Sequence, residues 1–210
     1  MATRKEIHDR VLNAKSKEEL ATAYSEWAER YDSDLIDEMG YVAPAIAGQL
    51  LDDHVKDRAA RILDAGCGTG LVGADLYQKG YRNLEGLDYS EQMLKKAESK
   101  EVYTRLYQGD LTAKLDFPEN SFDAIISVGT FTCGHVGPEA FSELIRITRP
   151  GGYICFTVRD KAWEDDNYRT AMDEIEKSGA WKRLQEQATD YIQKEGSSCN
   201  VCVYQKAEHA

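Results

Sequence analysis

Apolar residues recur at three- and four-residue spacing through the first 31 positions, then at continuous or two-residue spacing after residue 60. The early spacing predicts helices over 4–14 and 17–31, the second bringing Leu20, Tyr24, Trp27 and Tyr31 onto one face. Gly40, Pro44 and Gly48 break a third stretch, which resumes through Leu50 and Leu51. Beyond residue 60, strands are predicted over 61–65, 84–87, 104–108, 122–128 and 153–158. Amphipathic helices fill 71–79, 91–99 and 138–148, with Pro138 suited to a first helical turn and Gly151-Gly152 turning the chain into the fifth strand. Such alternation implies a parallel sheet covered by helices on both faces. A helix over 167–177 stops at Ser178-Gly179. Two antiparallel strands at one sheet edge, over 181–193 and 200–205, flank the turn residues Glu195-Gly196-Ser197-Ser198. Without repeats, linkers or low-complexity tracts, residues 1–210 read as one domain: a helical cap over 1–58 and a core over 59–206.

Composition narrows the class. A 42% hydrophobic and 30% charged chain of 210 residues describes an ordinary globular protein with a sizeable core. The net charge of −11 opposes nucleic acid as a partner, because an acidic surface repels phosphates. The charged start Met1-Ala2-Thr3-Arg4-Lys5-Glu6 has no apolar run behind it, and no stretch approaches a membrane span, so a cytoplasmic protein without a membrane partner is expected. Five cysteines, an odd number, agree with free thiols in a reducing compartment. The oligomeric state is not legible.

The chemistry concentrates in Ile62-Leu63-Asp64-Ala65-Gly66-Cys67-Gly68-Thr69-Gly70 and in the acid Asp88 that ends the next strand. A strand running into glycines at alternate positions brings bare backbone beside a small ligand, and a strand-ending acid suits a ribose diol. The dinucleotide fingerprint requires a glycine at the sixth position from Gly66, where Leu71 stands. A triphosphate loop requires a Gly-Lys-Ser/Thr end, and no lysine occurs between Asp64 and Gln78. Both of those ligands are disfavoured, leaving S-adenosylmethionine.

Five ordered motifs carry a resemblance over roughly residues 20–205: Leu63 to Gly70, Gly86-Leu87-Asp88-Tyr89-Ser90 with Met93-Leu94, Gln108-Gly109-Asp110-Leu111, Phe122-Asp123-Ala124-Ile125-Ile126-Ser127, and Arg149-Pro150-Gly151-Gly152. The chain resembles the class I S-adenosylmethionine-dependent methyltransferases. Through Tyr24-x-x-Trp27-Ala28-x-x-Tyr31-Asp32 and Val201-Cys202-Val203-Tyr204 it resembles, more narrowly, the Williams–Beuren-region methyltransferase-like proteins. The resemblance implies an α/β, Rossmann-like fold. Its sheet would be mostly parallel and seven-stranded, with an antiparallel C-terminal edge strand, helices on both faces and an N-terminal helical cap. The implied cofactor is S-adenosyl-L-methionine, with S-adenosyl-L-homocysteine as product and no metal. Gly66, Gly68 and Gly70 would let backbone approach its methionine end, and Asp64 would meet its ammonium. Asp88 would accept from both ribose hydroxyls, Tyr89 and Met93 would sandwich the adenine, and Asp110 with the Leu111 amide would bond its edge. Ser127, Val128 and Gly129 would lie below the sulfonium, with Tyr24, Trp27 and Tyr31 as a lid.

Methyl transfer is an in-line displacement, and a base is required only for an acceptor protonated at neutral pH. His135, after the fourth strand, is the candidate catalytic base; a plain loop histidine is the competing interpretation. Aromatic residues at helical spacing are otherwise core stripes. Cys67 has no evident histidine partner. Cys199 and Cys202, three apart on a strand, point to opposite faces, so a shared zinc is not expected. Glu164-Asp165-Asp166 reads as a solvated helix start. Three functions stay open on the residues: methylation of a small molecule, which the acidic surface favours, methylation of a protein, and cofactor binding without turnover. Calorimetric titration is expected to show micromolar binding of S-adenosylmethionine and none of NADH.

Overall fold

Seven strands form one sheet in the computed structural model, which describes residues 3–14, 16–132, 136–165 and 167–208. They are β1 (Ile62–Ala65), β2 (Leu84–Asp88), β3 (Arg105–Gln108), β4 (Phe122–Phe131), β5 (Thr148–Arg159), β6 (Trp181–Ile192) and β7 (Ser197–Lys206). Their spatial order is β3-β2-β1-β4-β5-β7-β6. Pairings among the first five are parallel, whereas β7 lies antiparallel to both β5 and β6. The C-terminal pair occupies one edge, with β6 outermost and β7 one strand in.

Side chains alternate across the strands, and both faces are buried. Ile62, Ala124, Ile126, Cys155, Val201 and Val203 face one apolar cluster, while Leu63, Ile125, Ile154, Phe156, Cys202 and Tyr204 face the other. The first cluster is completed by α3 (Ala43–His54) and α4 (Leu71–Gln78), the second by α6 (Ala140–Ile147) and α8 (Tyr168–Lys177). Cys199 and Cys202 fall on opposite sides of the sheet, as period-2 geometry requires. Among the described residues no helix is long and apolar enough to cross a membrane.

The cap opens with α1 (Arg4–Leu12), begun by a reciprocal capping box in which Glu6 N–H donates to Thr3 Oγ1 at 3.3 Å and Thr3 N–H to Glu6 Oε2 at 2.7 Å. The next helix, α2 (Lys17–Trp27), is shorter than its periodicity predicts. After Trp27 the chain turns into a π-helical segment, Ser33–Met39, closed by Gly40 at φ 69°. This wider turn returns the buried Asp34 beneath Trp27, whose indole N–H donates to Oδ2 at 2.8 Å. A buried donor without a partner would cost about 1–3 kcal/mol, so this bond opposes continuation of α2. The aromatic cluster persists across the break, with Trp27 and Tyr31 centroids 4.9 Å apart.

Other boundaries depart from the sequence pattern for local reasons. Helix α3 continues through Gly48, where a Cβ would lie 2.1 Å from Asp75 Oδ2 on α4; the glycine serves close helix approach and is not a breaker there. Pro44 sits within the first turn of α3. Pro138 precedes α6, its carbonyl accepting from Phe141 N–H at 3.1 Å. Glu164 and Asp165 close the short α7 (Asp160–Asp165) and do not open a helix, and Asp166 lies outside the described residues. As predicted, α8 ends at Ser178-Gly179, with Gly179 at φ 80°.

Phe141 stands at the centre of the second cluster, with ring contacts to Phe131, Phe156, Tyr168 and Trp181. Phe141→Ala is expected to lower unfolding free energy by about 3–5 kcal/mol in urea titration, with an unchanged slope.

Candidate active site

Sheet order reverses at β1: strands two and three extend to one side and four and five to the other. Loops leaving the carboxyl ends of β1 and β4 therefore diverge and open a crevice. In the β1 turn, Gly66, Gly68 and Gly70 adopt φ of 81°, 54° and 88°, a region disfavoured for residues with a Cβ. Gly66 and Cys67 amides both donate to Leu87 O, at 2.7 and 2.9 Å. Asp88 then bridges two segments, Oδ2 accepting from Gly68 N–H and Oδ1 from Ser90 N–H, each at 2.8 Å. Ser90 Oγ caps α5 (Glu91–Glu98) by accepting from Met93 N–H at 3.3 Å. Burial raises the Asp88 carboxyl above its ordinary range, and these amides pull against that rise. Each oxygen keeps lone-pair capacity for a further donor.

The crevice holds a cavity of about 150 Å³. Tyr24 and Tyr31 line it from the cap, Gly66 and Gly68 from the β1 turn, and Asp88, Tyr89 and Met93 from the β2–α5 junction. Asp110 and Leu111, after β3, and Val128 and Gly129, in β4, complete the predicted set there. Four of the predicted residues lie elsewhere. Trp27 is in the cap core. Gly70 is the left-handed residue before α4, packed under Tyr103. Ser127 is fully buried, donating to Ala65 O at 2.7 Å and so tying β4 to β1. Asp64 is buried below the glycine turn. His135 lies outside the described residues, as does Cys133.

Residues 63–156 match the family described as a methyltransferase domain. Human methyltransferase-like protein 27 is 35% identical over 202 residues, covering 91% of this chain and 81% of that protein. The chain belongs to the class I S-adenosylmethionine-dependent methyltransferases. A malonyl acyl-carrier-protein O-methyltransferase from Erwinia pyrifoliae is 37% identical over 112 residues, which is 52% of this chain and 42% of that enzyme. In fold, the methyltransferase matches the crystal structure of a TehB-like S-adenosylmethionine-dependent methyltransferase from Corynebacterium glutamicum. The TM-score is 0.65 at 22% identity, covering 88% of this chain and 99% of the other.

The methyltransferase's own atoms suit that cofactor. A Cβ on Gly68 would meet no atom of the described residues within 4 Å, so its bare face opens on the crevice. Among the described residues Asp64 Oδ1 is buried without a hydrogen-bond partner, an acceptor that an ammonium would satisfy directly or through water. Its other oxygen accepts from Tyr103 O–H at 2.6 Å. Burial drives the Asp64 carboxyl up to about 7, assisted by nearby Asp88 and opposed by the Tyr103 hydrogen bond.

Beside Gly129 and beneath the cap lies a second, smaller space, an inner chamber of about 50 Å³, with Tyr24, Tyr31 and Gly129 common to the linings of both. Tyr41 and Tyr191 stand at the junction with hydroxyl oxygens 3.3 Å apart, and a Cβ on Gly129 would lie 2.7 and 2.9 Å from them. Burial pushes both phenols up, so each is a neutral donor. Neither tyrosine was among the sequence-predicted residues, nor were Tyr103 and Arg159. Tyr103 and Tyr191 carry no local signal, whereas Arg159 ends a central strand and is findable by the carboxyl-edge rule.

Because Asp64 has a raised carboxyl in the folded chain, the native state retains a proton between the ordinary 3.8 and about 7. Its contribution to stability therefore falls as pH rises through that window. In the absence of cofactor, the stability of Asp64→Asn relative to the native protein is expected to improve from about pH 5 to about pH 8, measured as urea midpoints.

Proposed function

We propose that the methyltransferase acts on a small molecule held in the inner chamber. The observation that carries this reading is the cap. Acceptor space lies beneath α1, α2 and the π-helical segment, walled by Val11, Trp27, Leu35 and Ile192, not on an open surface suited to a macromolecule. The cap is fastened to the core beside the glycine turn. Asp32 accepts from Thr69 Oγ1 and pairs with Lys100, and Lys96 pairs with Glu29 at 2.5 Å. A net charge of −11 adds an electrostatic argument against nucleic acid.

In this reading Asp88 accepts from the ribose hydroxyls through lone pairs that the Gly68 and Ser90 amides leave free. Asp64, below the glycine turn, meets the ammonium directly or through water, Met93 and Tyr89 flank the adenine, and Asp110 and the Leu111 amide address its edge. When bound, S-adenosylmethionine supplies a methyl group on a good leaving group, so the chain's remaining tasks are alignment and exclusion of water. Gly66 and Gly129 keep the floor of the passage free of side chains, Ser127 locks the strand ends beneath it, and Tyr24 and Tyr31 cover it. His135 remains the candidate base for an acceptor that must lose a proton.

Incubation with methyl-labelled S-adenosylmethionine and fractionated cell extract is expected to transfer label to a small-molecule fraction; label in protein or nucleic acid overturns the proposal. Asp88→Ala is expected to weaken calorimetric cofactor binding at least about tenfold, since two charge-assisted hydrogen bonds are lost.

A further inference from the structure

Arg159 closes β5 at the wall of the inner chamber, half-buried, with its guanidinium carbon 5.0 Å from the Tyr191 ring centroid. Arg10, Arg58, Arg61, Arg146, Arg149 and Arg183 all pair with carboxylates. Arg159, like Arg82 and Arg105, has no carboxylate partner among the described residues, but unlike them it lines the chamber. Asp160, the next residue in the chain, accepts from Ser198 Oγ and makes no ion pair with Arg159. A cation withdrawn from water without a counter-ion is costly, and an aromatic face offsets only about 0.5–2 kcal/mol of it. An anion in the chamber would supply the direct partner that the guanidinium lacks.

We propose that Arg159 anchors a carboxylate of the methyl acceptor, which makes the acceptor a small organic acid with an apolar body. This rests on the reading of the inner chamber as the acceptor space of a small-molecule methyltransferase. The guanidinium fork matches a carboxylate in bidentate fashion. Only one hydroxyl hydrogen is needed between Tyr41 and Tyr191, so the second phenol has its hydrogen for the ligand. The indole of Trp27 and the side chains of Leu35 and Ile192 provide apolar contact for the body of the acid. The protein's overall negative charge does not defeat this. Exposed charges are screened over about 8 Å at physiological salt, while a partly enclosed pair is screened much less.

The test uses phenylacetate and hexanoate against their neutral amides, phenylacetamide and hexanamide, by ligand-observed NMR with the full chain saturated in S-adenosylhomocysteine. Both acids are expected to bind at least about tenfold more tightly than the amides. Arg159→Gln is expected to remove that preference, and Arg159→Lys to keep part of it, because an ammonium retains charge without the fork. Calorimetric affinity for S-adenosylhomocysteine in both variants should match the native protein, which establishes that they are folded. Equal binding of acids and amides, absence of binding by either, undiminished acid binding by Arg159→Gln, or tighter binding of phenyl phosphate than of phenylacetate overturns the proposal. Label from S-adenosylmethionine entering protein instead of small molecules overturns the reading beneath it, and the NMR comparison distinguishes that failure from a wrong assignment of Arg159.

Discussion

The carboxylate of Asp88 holds the carboxyl edge of the sheet in its working shape. One oxygen takes the Gly68 amide and the other the Ser90 amide, so the glycine turn after β1 and the start of α5 are fixed to the end of β2 through one side chain. The glycines make this closure feasible. Three left-handed residues in five positions bend the chain tightly enough for the Gly66 and Cys67 amides to reach Leu87 O as well. Everything on the cofactor side is positioned from there: Tyr89 follows Asp88 directly, and Met93 is set by the Ser90 cap. The cap is attached to the same turn through Asp32 and Thr69.

Function and stability pull apart immediately below this turn. Asp64 is buried, with one oxygen satisfied by Tyr103 and the other without a close partner among the described residues. Burial lifts its carboxyl to about 7, so near neutrality the ligand-free chain sits close to the point where the acid ionises. A bound cation would draw it to the charged side. A well-packed apolar residue at this position would stabilise the fold and remove the acceptor. Ser127 shows the opposite arrangement: equally buried, it is satisfied by Ala65 O and acts as a structural tie.

The crevice and the inner chamber differ in how they are assembled. Most of the crevice is built from short segments at or just after the strand ends, such as Gly66, Gly68, Asp88, Tyr89, Asp110 and Leu111, with Tyr24 and Tyr31 added from the cap. The chamber collects Val11 from α1, Trp27 from α2, Tyr41 from before α3, Arg159 from β5 and Tyr191 from β6. Adjacent Tyr41 and Tyr191 are 150 positions apart in sequence.

The sequence by itself determined the alternation of strands and helices, the parallel sheet with its antiparallel C-terminal pair, the glycine turn and the acids at positions 64, 88 and 110. These are local signals: periodicity, glycine spacing and strand-ending residues act within a few positions of where they are read. Tertiary structure decided the rest. It ended α2 at Trp27, because Asp34 reaches the indole through a wider turn, and it carried α3 past Gly48, because Asp75 of another helix lies against the bare backbone. It also withdrew Trp27 and Ser127 from the cofactor crevice and brought Tyr103, Tyr41, Tyr191 and Arg159 to the two spaces. Those placements depend on which elements become neighbours when both faces of the sheet are covered, and no window of local sequence contains that information.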